Sequence, residues 1–205
     1  MVLPNFLLDS IPDIVLDTSV CININASGFA KEIINALPNR IIVLNQVFTE
    51  LDCGRKNGCS DADDLRNLVN SGLIELRELN IAAMGLFEQL VIGPAGSTLD
   101  DGESATIAYA DTNNAIAIID ERKAHRICRE RFPCLSVACT IDLLSHPVVK
   151  ESLGQKNHEL SVVNALKTAR MRVFPEHVGW IVQIIGAENV TKYPSLPRFA
   201  RISGR

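Results

Sequence analysis

A chain of 205 residues with 47% apolar content can bury one full core, or one core plus an appendage. The formal net charge of −4 does not mark a nucleic-acid binder, although a site built from carboxylates would itself make the total acidic. No apolar run approaches the roughly 18 residues that suggest a membrane span.

The first informative stretch is Ile14-Val15-Leu16-Asp17-Thr18-Ser19. Three apolar residues run into an acid and two hydroxyls, which predicts a buried parallel strand ending on a carboxylate. Asp17 then either caps the next helix or stands where open α/β sheets bind ligands. A short helix is expected over Val20 to Asn25, and a second, capped by Ser27, over Gly28 to Leu37. Pro38-Asn39 reads as a turn and Ile41–Leu44 as a second buried strand. Asn45 caps a helix through Val47, Phe48 and Leu51 that carries Glu50. Asp52 to Cys59, with two glycines and two basic residues, reads as a loop. Asp61 to Asn70 is a helix stopped by Gly72, Leu73–Leu76 a third strand, and Ile81 to Leu90 another helix.

Gly93 to Ser97 breaks the chain. Asp100, Asp101 and Glu103 then open an alanine-rich helix. Asp100 and Glu103 also suit a capping box. Ala115–Ile119 is the next buried strand and ends on Asp120-Glu121, as the first ends on Asp17. A basic helix follows from Arg122 to Phe132, then a short strand, Leu135 to Ala138, and Thr140 to Leu144 with Asp142. Strands alternating with helices predict a three-layer α/β/α domain with a central, mainly parallel sheet over residues 1–148. Residues 149–205 are expected to form a helical C-terminal extension, with helices over Leu160 to Ala169 and Pro175 to Ile185. The tail from Asn189 carries Lys192, Arg198, Arg201 and Arg205 and no acid, and reads as an extended basic arm.

Six cysteines are scattered along the chain, without a CxxC pair and without histidines at zinc spacing. They read as reduced cysteines, several of them in the core, of a cytosolic protein. Met1 to Asn5 lacks the basic region of a signal peptide.

Parallel strands deliver their carboxyl ends to one edge, so Asp17, Asp120 and Asp142 are expected to converge there. Glu50 and Glu103 sit on helices in the same layer. Crowded carboxylates repel unless a cation neutralises them. Oxygen ligands without Cys or His suit Mg²⁺ or Mn²⁺, which activate water and clamp phosphates. Each acid also has a bland reading, as a cap, a first-turn acid or a solvated face. Arg122 and Lys123 stand beside the acids, where a phosphate backbone would lie.

These pieces together resemble the PIN domain, the nuclease fold that includes the VapC-type toxins. The matching residues are Ile14 to Ser19, Val47-Phe48-Thr49-Glu50-Leu51, Gly102-Glu103, Ile119-Asp120-Glu121-Arg122-Lys123-Ala124 and Cys139-Thr140-Ile141-Asp142. They cover roughly residues 12 to 146, and the Gly-Glu and Asp-Glu-Arg-Lys forms resemble a prokaryotic branch of the family more than its best-known toxins. The chain departs from that branch at Ala105, where many relatives carry Glu, at His125, where they often carry Arg, and at Cys139, where they often carry Gly. The resemblance implies that Asp17, Glu50, Glu103 and Asp120 bind Mg²⁺ or Mn²⁺, with Asp142 as a supporting ligand. It implies that Thr18 or Ser19 positions a ligand or water. It implies a metal-dependent endoribonuclease with an RNA substrate, a homodimer, and an antitoxin partner if the protein is a toxin. The alternative expectation is a catalytically weak PIN fold that binds RNA or serves assembly. A haloacid-dehalogenase-like phosphatase needs a second Asp where Ser19 stands, and a Rossmann site needs a GxGxxG that is missing.

Overall fold

The computed structural model describes residues 13–55 and 60–203. Asp13–Leu16 forms β1, buried along its whole length. With β2 (Arg40–Leu44), β3 (Glu75–Arg77), β4 (Ile116–Ile118) and β5 (Ser136–Ala138) it builds a sheet in the order β3-β2-β1-β4-β5. Every neighbouring pair is parallel. Val15 lies opposite Ile42 on one side and Ala117 on the other, so β1 is the central strand.

Side chains alternate across the sheet. Ile14 and Leu16 join one buried cluster, while Val15 joins another on the opposite face. The first face is covered by α1 (Thr18–Ala26), α2 (Ala30–Ala36), α3 (Asn45–Arg55) and α4 (Asp61–Asn70). The second is covered by α5 (Ile81–Val91), α6 (Asp101–Asn113) and α7 (Arg122–Arg131). The result is the expected three-layer α/β/α fold. Burial on both faces explains the uninterrupted apolar runs of β1, β2 and β4.

The remaining helices, α8 (Thr140–Ser145), α9 (Pro147–Thr168) and α10 (Val178–Ile185), also pack on the Ile14 face. Val149, Val162, Leu166 and Ile181 belong to the same cluster as Ile14 and Leu16. A break at Gly154, with φ of +69°, turns the chain within α9. Pro175 opens a 3-10 turn, Pro175–His177, immediately before α10.

The tail departs from the extended arm that its charge suggested. Ala187–Lys192 is a 3-10 helix and α11 (Arg198–Ser203) an α-helix. Val190, Tyr193 and Leu196 are buried in the Ile14 cluster. Val190, Tyr193 and Leu196 recur every third residue, the period of a 3-10 turn, and the Tyr193 and Leu196 N–H groups donate to the Val190 and Tyr193 carbonyls at 3.3 and 3.2 Å. The expected loop from Asp52 begins instead as helix, with α3 running to Arg55; residues 56–59 lie outside the described residues. Leu51 is buried there and Asp52 pairs with Arg66 of α4 at 3.6 Å, which holds this end of α3. The second helix starts at Ala30 rather than Gly28, whose φ of +78° is left-handed.

Cys21, Cys128 and Cys139 are buried free thiols. Among the described residues no helix is long and apolar enough to cross a membrane.

Candidate active site

The sheet order reverses beside β1, with β2 and β3 to one side and β4 and β5 to the other. Parallel sheets bind ligands at such a point, beyond the carboxyl ends of the strands. Asp17 leaves β1 there, and its N–H donates to the Ile118 carbonyl of β4 at 3.1 Å. Asp120 lies just beyond the neighbouring end of β4. A cleft of about 350 Å³ opens at this point, lined by Asp17, Glu50, Asp100, Glu103, Asp120 and Glu121 among others. The four acids expected from distant parts of the chain do converge.

Each carboxylate is held differently. Asp17 caps α1, with Oδ2 accepting from the Ser19 N–H at 3.3 Å and the Ser19 hydroxyl at 2.8 Å. Its Oδ1 is buried and has no hydrogen-bond partner among the described residues. The capping reading of Asp17 therefore takes one oxygen, and the other takes no part in it. Glu50 Oε2 accepts from the Thr18 hydroxyl, and Oε1 accepts from the Gly102 N–H at 2.8 Å. Asp120 Oδ1 accepts from the Thr140 N–H at 2.8 Å, and Oδ2 from Asn23 Nδ2 at 2.6 Å and the Thr140 hydroxyl at 2.5 Å. Glu103 sits in the first turn of α6, whose cap is Asp100.

Crowding marks the site electrostatically. Burial, with the charges of Asp100 and Asp120 added, pushes Asp17 up to about 7 despite the Ser19 bond. Burial, with Asp100, Asp17 and Glu121 close by, pushes Glu103 up to about 8. Burial also raises Glu50, Asp100 and Asp120, against the hydrogen bonds that each accepts. Protons or a cation must neutralise such a group. The donor set is oxygen alone, and the cleft lining contains neither Cys nor His. With the free Asp17 oxygen, this set fits a hard divalent ion such as Mg²⁺ or Mn²⁺.

The model of the PIN domain matches residues 13–187. The chain belongs to the PIN-domain family. No curated protein and no solved structure matches it. PIN domains are in general nucleases that use divalent metals, which supports nuclease chemistry here at that coarse level.

The sequence-predicted residues of this PIN domain are not all in the cleft. Thr18 and Ser19 line it with the four acids. Asp142 does not: Oδ2 accepts from the Cys139 N–H at 2.9 Å, and Oδ1 faces His177 Nε2 at 3.6 Å. Lys123 reaches away, its Nζ donating to the Ala95 carbonyl at 2.6 Å. Arg122 lines an adjoining groove together with Arg170, Arg172 and Pro194–Pro197. Ala105, the position without the relatives' acid, is fully buried in the Val15 cluster.

Sequence reasoning missed Asn23, Arg170 and Arg172. Asn23 is one turn and a half along α1 from Asp17, and its partner Asp120 is distant in sequence. Arg170 and Arg172 arrive after α9 and line both the cleft and the adjoining groove. Arg172 pairs with Glu121 at 2.8 Å. Arg170 takes a left-handed φ of +54°. Only the unusual backbone of Arg170 distinguishes it from any surface arginine, and that is invisible in sequence.

Proposed function

We propose that this PIN domain is a metal-dependent endoribonuclease. The observation that carries the reading is the buried, unpartnered Oδ1 of Asp17 in a cleft of carboxylates whose proton affinities are raised. Asp17, Glu50, Glu103 and Asp120 would hold Mg²⁺ or Mn²⁺. A divalent ion in such a site polarises a phosphate oxygen and makes a water more acidic.

The chain's own groups supply the rest. Thr18 and Gly102 aim Glu50, while Asn23 and Thr140 aim Asp120. Ser19 holds one oxygen of Asp17, and the other would be left to a metal ion. A carboxylate of the set would accept a proton from the attacking water. Arg170 and Arg172, shared between the cleft and the groove beside Pro194–Pro197, support a path for phosphates flanking the cut. Arg122 joins that path from the groove side. If the protein is a toxin, an antitoxin would be its partner, and the family resemblance implies a homodimer.

RNA cleavage with Mn²⁺ or Mg²⁺ against EDTA tests it, wild type beside Asp17→Asn and Asp120→Asn. Metal-dependent cleavage that both variants lose is the expected outcome. Wild-type protein that binds Mn²⁺ and RNA but cuts no RNA overturns it in favour of a binding module.

A further inference from the structure

Behind the cleft lies a second cluster of different chemistry. Cys139, Asp142 and His177 each present one ligating atom, all within 4.8 Å of one another. All three residues are buried, Cys139 at 1%, His177 at 4% and Asp142 at 8% exposure. Cys139 Sγ stands 3.4 Å from His177 Nε2, and Asp142 Oδ1 stands 3.6 Å from the same nitrogen. Among the described residues Asp142 Oδ1 has no hydrogen-bond partner, nor has His177 Nδ1. A carboxylate oxygen that is desolvated and unpartnered costs stability unless something else meets it.

We propose that Cys139, Asp142 and His177 form a zinc site, separate from the acidic cleft. Two edges of the cluster match a zinc site. Zinc–ligand bonds of usual length at tetrahedral angles place S and N about 3.6 Å apart, and N and O about 3.4 Å apart. The observed edges are 3.4 Å and 3.6 Å. A thiolate, an imidazole and a carboxylate are the mixed donor set of zinc, not of Mg²⁺ or Ca²⁺. Thiolate and carboxylate together cancel the charge of a divalent ion, so the filled site buries no net charge. Three protein ligands leave the fourth tetrahedral corner to a water.

The position gives the ion a use. Cys139 is the N-cap of α8, and Asp142 lies in its first turn. His177 closes the 3-10 turn before α10. An ion there fastens α10 to the start of α8. The next residue is Thr140, whose N–H and hydroxyl hold Asp120. The zinc site therefore stiffens the wall of the cleft from behind.

The test uses the purified full chain, stripped with EDTA and titrated with Co²⁺ and then Zn²⁺ alone. The cleft lining contains no cysteine, so cobalt bound there gives no thiolate-to-cobalt charge-transfer band. Wild type and Asp17→Asn are expected to show that band, and Zn²⁺ to displace it. Cys139→Ser and His177→Gln are expected to lose it and to bind Zn²⁺ at least about tenfold more weakly. Circular dichroism reports whether the variants stay folded. If they do not, Cys53→Ser/Cys134→Ser, which lacks the exposed thiols among the described residues, is titrated instead, and a folded protein of that kind without the band overturns the proposal. A band that survives in folded Cys139→Ser overturns it too. RNA cleavage does not enter this test, so the zinc site and the nuclease reading stand or fall separately.

Discussion

The Gly102 N–H donates to Oε1 of Glu50 at 2.8 Å, and a Cβ added at Gly102 would lie 2.5 Å from the other oxygen. It would also lie 2.5 Å from the Thr18 hydroxyl oxygen. The first turn of α6 and the Glu50 carboxylate are thus in contact with no room between them. Gly102→Ala is expected to displace Glu50. Overpacking of this kind costs about 1–3 kcal/mol, offset in part by the better helix propensity of alanine. Mn²⁺ affinity, read by calorimetry, should fall by more than the stability loss explains. Unchanged affinity would remove Glu50 from the ligand set.

Asp120 depends on α8. Thr140→Val removes the hydroxyl that donates to Asp120 Oδ2 but keeps the shape and the N–H bond to Oδ1. Groups that orient ligands are worth about 10–100-fold in affinity or activity. A loss of that size in metal-dependent cleavage, with Asn23→Ala giving a loss of the same order, is the expected result.

Metal-free protein is expected to lose stability as pH rises. The unfolded values of Asp17 and Glu103 are 3.8 and 4.5, and the folded values are about 7 and about 8. Between those limits the folded state binds more protons than the unfolded state, so the contribution is full at low pH and vanishes as pH climbs through the folded values. Thermal unfolding in EDTA should occur at lower temperature near about pH 8.5 than near about pH 6, and Mn²⁺ should restore more at the higher pH. Glu103→Gln should flatten the profile. An EDTA profile that rises across this window would contradict the crowding of the acids.

The C-terminal segment is part of the core. Leu196 is 2% exposed and packs in the cluster that contains Ile14. Leu196→Ala is expected to cost about 2–5 kcal/mol in denaturant unfolding, as for other buried leucines. A cost below about 0.5 kcal/mol would be that of a surface position and would mean that the tail does not pack.

Much of this molecule is legible in order of residues alone. Each run that reads as a buried strand is one, because burial on both faces requires nearly continuous apolar residues in Ile14–Leu16, Ile41–Leu44 and Ile116–Ile118. An acid directly after such a run, as at Asp17 and Asp120, is placed at the sheet edge by the chain's own direction. What sequence cannot carry is any pairing between groups far apart that follow no period. Asn23 and Thr140 meet Asp120 from opposite ends of the domain, and Cys139, Asp142 and His177 meet although their spacing matches no zinc motif. The tail shows a second limit, since its charges suggest an arm while Tyr193 and Leu196 are drawn into the core. Local pattern determines which segments are buried and which end in carboxylates, because hydrophobic burial acts on every residue in proportion to its own surface. Which side chains then touch depends on strand order and helix docking, and those are decided only when the whole chain closes around its sheet.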